Sequence, residues 1–419
     1  MTQLSVYSEI GRLRAVAVHS PGLEVDRMTP SLMHELLFDD ILFGKEAREE
    51  HDVFSKVIAK VADDVYDVQE MLATSLGQEG ARRHFLDRFC VLHQLQSADR
   101  DRLEALDDRT LAELSVAGWY EDIDQGTRYR FRFPPVPNLL FMRDPAAVIG
   151  NGVSLNHMAT NARRAEPFIL DTVMRFHPKY RIDDESRIWF DAIPGYLSGL
   201  PELNNTIEGG DILVLSQDIL AIGVSIRTTQ SAVTMLAEKL RAQEKFKTLF
   251  AVLMPHERAV MHLDTIFTQI DREHCLVFPP FFCKGIDSLP VIKMDLSGPK
   301  LEITLKDNFL SALADEGHAL KPILCGGKNR LDQEREQWTD GANAFCLAPG
   351  VILGYSRNLK TANELEKVGY NVVSGEEVLA KDIDLLDGKR YLVMISGNEL
   401  SRARGGARCM TFPLRRDPI

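Results

Sequence analysis

Near its C-terminal end the sequence reads NELSRARGGARCMTFPL, so Cys409 closes a turn that carries Arg402, Arg404, Gly405, Gly406 and Arg408. A thiolate is the form of cysteine that attacks carbon, and nearby guanidinium groups lower the cost of forming it. Two glycines leave room for a substrate over the sulfur. The segment MHLDTIFTQI places His262 and Asp264 two residues apart, and on an extended segment such residues share a face. NNTIEGGDILVL sets Glu208 and Asp211 on either side of Gly209 and Gly210, just before a strand. Alone, each motif has an ordinary explanation: a buried cysteine, a structural His–Asp pair, a turn with solvated acids. Together they select a chemistry. A guanidinium is planar, cationic and forked, and carboxylates match it bidentately. Several carboxylates with a histidine and a cysteine suit attack on a guanidinium carbon. Peptide hydrolysis by cysteine and histidine would call for an oxyanion hole rather than a cage of acids.

These residues are far apart in the chain, so the fold must bring them together. A loose internal repeat offers a way. Asp144 opens DPAAVIGNGVSLNHMATNARRAEPFI, Asp211 opens DILVLSQDILAIGVSIRTTQSAVTML, Asp264 opens DTIFTQIDREHCLVF and Asp340 opens DGANAFCLAPGVILGYSRNLKTANEL. Each is an aspartate, a short apolar strand, a turn (NG, QD, DRE or APG) and a second strand. Arg163 and Arg227 follow the second strand of the first two units. Related strand-turn-strand units imply radial repetition about an axis, which would make Asp144, Asp211 and Asp264 converge. Residues 73–127 break the pattern with short amphipathic helical stretches. Ser97 is expected to cap one, and Thr110 with Glu113 reads as a capping box. Earlier, Val53, Val57, Ile58 and Val61 fall on one helical face.

The chain has 419 residues and a formal charge of −12. That balance argues against nucleic acid, which needs a basic face, and suits a cationic small substrate. No apolar run approaches the length of a bilayer span, and the N-terminus lacks a signal-peptide stretch. A cytoplasmic protein is therefore expected. None of the six cysteines forms a C-x-x-C pair, which argues against zinc. The five other than Cys409 are expected to be buried small hydrophobes.

The sequence resembles the arginine deiminases, members of the guanidine-modifying (pentein) superfamily. The matching motifs are LLFDDILF at 36–43 followed by AREEH, NLLFMRD at 138–144, EGGD at 208–211, HLD at 262–264, and RGG with CMT around Cys409. They keep their order over nearly the whole chain. The resemblance implies an α/β fold: a five-bladed, pseudo-symmetric α/β propeller with an inserted helical domain. Residues 1–72 and 128–419 would form the catalytic core and residues 73–127 the insertion. By the same resemblance Cys409 is the nucleophile and His262 the general acid/base. Asp144 and Asp264 clamp the guanidinium, while Glu208 orients His262 and holds a guanidinium nitrogen. Asn138, Arg163 and Arg227 match residues that hold the α-carboxylate of free arginine. Phe141 packs on its aliphatic stem, Arg404 lines the pocket near the nucleophile, and Asp211 joins the substrate-binding set.

The implied reaction is hydrolysis of L-arginine to L-citrulline and ammonia through a covalent S-alkylthiouronium intermediate. It needs no metal or organic cofactor and involves no nucleic-acid or membrane partner. The protein would be a homodimer or homotetramer. Dimethylarginine hydrolysis, amidino transfer and an inactive arginine-binding protein are the alternatives. Arg408, directly before Cys409, is expected to favour the thiolate as an added cation.

Overall fold

The computed structural model describes residues 4–198, 205–283 and 288–419. All four aspartate-led units form antiparallel hairpins, with the short turns read from the sequence. Ala146–Ile149 pairs with Gly152–Leu155, Ile212–Val214 with Ile219–Val224, Phe267–Gln269 with His274–Val277, and Phe345–Ala348 with Val351–Tyr355. Each second strand then gains a parallel neighbour: Ile188–Asp191, Thr248–Leu253, Lys321–Leu324 or Arg390–Ile395. Parallel pairing requires a crossover. Helices Glu166–Phe176, Gln230–Ala242, Phe309–Asp315 and Leu359–Glu366 lie in these crossovers.

A fifth unit has the same pairing but is built from both ends of the chain. Phe412–Arg416 runs antiparallel to Leu13–Val18, which runs parallel to Asp64–Asp67. Helix Gly44–Ala59 lies in its crossover. Val57 and Ile58 of that helix are fully buried, as the helical face in the sequence anticipated; Val53 is half-buried, and Val61 is buried just past the helix end. Among the described residues each sheet is an open run of strands; the largest has five, extended by Val291–Asp295 and Glu302–Lys306. The hairpin strands of the four aspartate-led units are near-continuous buried runs, covered on both faces. Leu220 and Ile222 are fully buried, each contributing roughly 1.5–3 kcal/mol of apolar burial.

Hydrogen bonds between the opening turns link the five units in succession. Gly210 N–H donates to Asp144 Oδ1 at 3.1 Å, Leu263 N–H to Asp211 Oδ1 at 2.9 Å, and Asn343 Nδ2 to the Asp264 carbonyl at 3.1 Å. Cys409 N–H donates to Asn343 Oδ1 at 3.3 Å. Arg143 N–H then returns the series to the first unit through the Cys409 carbonyl at 3.0 Å.

Helices Val68–Leu76, Ala81–Leu92, Ser97–Glu104 and Asp108–Ala117 interrupt this pattern. Their buried faces carry Met71, Leu72, Phe85, Phe89, Leu111 and Val116, and Phe89 packs edge-on against Phe133. The expected caps are displaced. Gln96 caps the third helix with Asp99 as its reciprocal partner, so Ser97 is the first helical residue. Asp107 caps the fourth by accepting from both the N–H and the hydroxyl of Thr110. A carboxylate one turn earlier outcompetes the threonine and starts the helix sooner. Of the cysteines other than Cys409, four are buried and Cys283 is half-buried, at the end of the short helix Pro279–Phe282. No helix among the described residues is long and apolar enough to cross a membrane.

Candidate active site

The turns that precede the first strands of the first, third and fifth units, with the segments after the second strands of the first and second, face a cavity of about 310 Å³. Asn138, Phe141, Asp144, Arg163, Arg227, His262, Arg404 and Cys409, all singled out in the sequence, line it. Glu208 and Asp264 do not line it; each is fully buried against a residue that does. Glu208 Oε2 lies 2.8 Å from His262 Nε2, and Asp264 Oδ2 lies 3.8 Å from Cys409 Sγ.

The backbone around these groups is tightly constrained. A Cβ on Gly210 would stand 2.6 Å from His262 Nδ1 and 2.9 Å from Asp144 Oδ1. A Cβ on Gly405 would stand 2.2 Å from the Phe141 ring. Gly210 of EGGD and Gly405 of RGG are therefore clearances for the His262 and Asp144 side chains and for the pocket wall.

Charge pairing explains how so many acids share one site. Arg163 places Nη1 on Asp144 Oδ2 and its Nε and Nη2 on Glu166 at 2.8 and 2.7 Å. Its guanidinium is thus bound by the protein's own acids. Arg227 differs: its Nη1 is buried without a hydrogen-bond partner, 3.7 Å from Glu208 Oε1. Arg227 therefore keeps an unpaired donor in a residue that lines the cavity. Arg404 adopts a left-handed backbone (φ 71°) and lays its guanidinium 3.2 Å from the Trp338 ring centroid. Asn138 donates to the Leu36 carbonyl at 2.7 Å, tying the segment 36–43 to the rim.

Burial would lower the pKa of His262, but Asp144, the Glu208 hydrogen bond and Asp211 outweigh it and raise the value to about 9. Burial would raise Glu208, but Arg227 and His262 hold it below the usual carboxylate range. Cys409 moves the other way. Burial, then Asp264, Asp144 and Asp340, push its thiol well above the usual range.

Two expectations are corrected here. Arg408 is not paired directly with Cys409. Its side chain is 1% exposed and sits on Glu9 Oε2 at 2.9 Å and on Asp264 Oδ2 at 2.8 Å, so its charge reaches the sulfur only across that carboxylate. Asp211 is not among the cavity-lining residues. It accepts from Leu263 N–H at 2.9 Å and from the Ser225 hydroxyl at 2.7 Å, holding the segments that bear His262 and Arg227.

The structure also adds residues that the sequence did not mark. Asn343 Oδ1 accepts from the N–H of both Arg408 and Cys409, at 2.9 and 3.3 Å, and so shapes the nucleophile turn. Arg143 donates to the Arg408 carbonyl and to Thr411 Oγ1. Arg258 lines the cavity, held by Asp39 at 2.8 Å. Asn343 lies in the fourth repeat and Arg143 in NLLFMRD, so position in a repeat was the only available signal. Asp144, Glu208 and His262 bring three ligand-type atoms within 4.8 Å of one another, a spacing that would also suit a metal ion. Arg163 already pairs with Asp144, and Arg227 stands against Glu208.

Comparison with known proteins shows the family. Residues 34–416 match the arginine deiminase family. The arginine deiminase of Mycoplasma capricolum subsp. capricolum is 34% identical over 429 residues, covering 100% of this chain and 98% of that protein. That of Clostridium perfringens is 34% identical over 443 residues, covering 99% and 98%. Among solved structures, SxtG, an amidinotransferase from Microseira wollei, matches with a TM-score of 0.52 at 13% identity, covering 99% of this chain and 98% of its own. That last similarity speaks to the fold alone. Cys409, His262 and Asp144 thus line one cavity, with Glu208 buried behind the histidine and Asp264 buried behind the cysteine. The chain belongs to the arginine deiminase family.

Proposed function

We propose that this chain hydrolyses free L-arginine to L-citrulline and ammonia, with Cys409 as nucleophile. One observation carries the mechanism: Cys409 Sγ shares a cavity with His262, beside Asp264 and Asp144, with His262 on Glu208. The substrate guanidinium enters between Asp144 and Asp264, and its α-carboxylate meets Arg227. Asn138 and Arg163 shape that end of the pocket, and Phe141 flanks the aliphatic stem. A cation placed between the acids and the sulfur offsets the charges that hold the thiol neutral, so the thiol ionises as arginine docks.

The thiolate forms a C–S bond to the guanidinium carbon. One C–N bond breaks, and the departing nitrogen takes a proton from imidazolium His262 and leaves as ammonia. The S-alkylthiouronium remains on Cys409. Water gives a proton to neutral His262 as its oxygen bonds to the same carbon, and the C–S bond breaks to release citrulline. The acids act by positioning and by stabilising cationic charge.

The linked series of opening turns supports a five-bladed α/β propeller, with residues 73–127 inserted into a core formed by 1–72 and 128–419. A cytoplasmic homodimer or homotetramer is part of the same proposal. The deciding experiment measures citrulline and ammonia from L-arginine with wild type and Cys409→Ala. Equal amounts of both products from wild type, none from the variant, and retained arginine binding by the variant are expected. A folded wild type that binds arginine without releasing ammonia would overturn this in favour of a binding protein. Turnover of methylated arginine or amidino transfer in its place would reassign the substrate.

A further inference from the structure

We propose that Arg408 and Glu9 form a positioning pair that fixes Asp264 with one carboxylate oxygen held by the protein and the other left for the substrate guanidinium. This rests on the deiminase mechanism above and adds two residues to it, neither of which lines the cavity.

The geometry points one way. Asp264 is fully buried, and its Oδ2 accepts from Arg408 Nη1 at 2.8 Å. Its Oδ1 is buried with no hydrogen-bond partner. An unpaired carboxylate oxygen in the interior is costly, and a substrate N–H that reached it past Cys409 would satisfy it. Arg408 is in turn immobilised. Nε and Nη2 grip Glu9 at 2.9 and 3.0 Å, and Nη2 also donates to the Ile212 carbonyl at 2.7 Å. Glu9 is anchored too, accepting from Val214 N–H at 3.1 Å.

Without Glu9, the planar fork of Arg408 would be free to turn two nitrogens onto Asp264 and take both its oxygens, as guanidinium–carboxylate pairs commonly do. Glu9 occupies the competing edge of the fork, so Asp264 receives one nitrogen only. Arg408 also supplies the cation that opposes burial. Burial raises Asp264 above the ordinary range even with Arg408 beside it, so without that charge the carboxyl would be neutral over more of the working pH range.

Steady-state kinetics with arginine across pH, on the full-length protein, test this with Arg408→Met, Arg408→Lys and Glu9→Gln. In Arg408→Met the acid limb of kcat/KM should move up by about one pH unit or more, because Asp264 must now ionise unaided. Arg408→Lys keeps the charge and should restore most of that limb. Glu9→Gln should raise KM about tenfold while leaving the limb in place, because Arg408 then competes for Oδ1. A merely structural pair would change stability without moving either quantity.

Folded variants with wild-type KM and pH profile would overturn the inference. If Arg408→Met does not fold, the KM of Glu9→Gln decides. Turnover by wild type reports separately on the deiminase mechanism. A wild type that binds arginine without turnover would fail that mechanism, and the Glu9→Gln effect would then be read as about tenfold weaker binding by calorimetry.

Discussion

Replacing Asp264 with asparagine should separate two properties that usually move together, thiol reactivity and turnover. Asp264 Oδ2 stands 3.8 Å from Cys409 Sγ. After burial, it is the strongest influence holding the thiol neutral. Coulomb's law puts the repulsion of two unit charges at that separation at roughly 4 kcal/mol for an effective dielectric near 20. With about 1.4 kcal/mol per pKa unit, the ceiling is about three units. Arg408 sits on the same oxygen at 2.8 Å and already cancels part of that field. A downward shift of roughly one to two units is therefore expected in Asp264→Asn. The shift is read from thiolate absorbance, or from iodoacetamide alkylation rate, as a function of pH. Turnover should fall in the same variant by about a hundredfold or more, because the guanidinium loses one side of its clamp. The variant would then be more reactive toward a neutral alkylating agent and less active on arginine. A Cys409 thiol that titrates at or above the wild-type position in folded Asp264→Asn would refute the electrostatic account.

Arg227→Met should raise KM for arginine about ten- to a hundredfold with kcat nearly unchanged, since a buried charge-assisted contact is lost. Agmatine, which lacks the carboxylate, should be turned over equally by wild type and variant; equal arginine KM values would remove Arg227 from the carboxylate site. Gly210→Ala drives a Cβ to 2.6 Å from His262 Nδ1 and 2.9 Å from Asp144 Oδ1. Its kcat should fall about a hundredfold from misplaced groups, and unaltered kinetics would show that the two groups can yield. Glu208→Gln removes an anion that helps raise His262 to about 9. The imidazole should lose its proton at lower pH in that variant, bringing the alkaline limb of kcat down with it; an unmoved histidine titration by NMR would contradict the pairing.

The hairpins were legible because each is local: a short apolar run, a tight turn and a second run suffice to specify it. The fifth unit was not. Its antiparallel pair joins Leu13–Val18 to Phe412–Arg416, and no local pattern marks strands from opposite ends of a chain as partners. Likewise Cys409, His262 and the acids could be chosen by residue type and motif, but the direction of a side chain could not. Arg408 shows the difference. Adjacency in sequence suggested a cation beside the sulfur, yet a residue next to another in an extended or turning backbone points elsewhere. Its fork went to Glu9, in a segment with no chemical signature. Asp211 differed for a related reason. It opens its unit as Asp144 and Asp264 do, but Leu263 and Ser225 consume both its oxygens.

The internal arginines give the site its electrostatic logic. Arg163 occupies one oxygen of Asp144, and Arg408 one oxygen of Asp264. Each buried acid thus has a fixed counter-charge on one oxygen and keeps its other oxygen directed elsewhere. Asp144 Oδ1 takes Gly210 N–H and lies 3.8 Å from His262 Nδ1; Asp264 Oδ1 takes nothing. The remaining negative field falls on Cys409 and pushes its thiol up; in the proposed mechanism a further guanidinium, carried by the substrate, completes the balance. A neutral analogue of the same shape, such as the product citrulline, would bind without supplying that charge and should leave the thiol protonated. Selectivity for a cation and protection of the nucleophile therefore share one cause. Cys409 should ionise at lower pH with bound arginine than with bound citrulline, and equal titrations in the two complexes would break the link between substrate charge and activation.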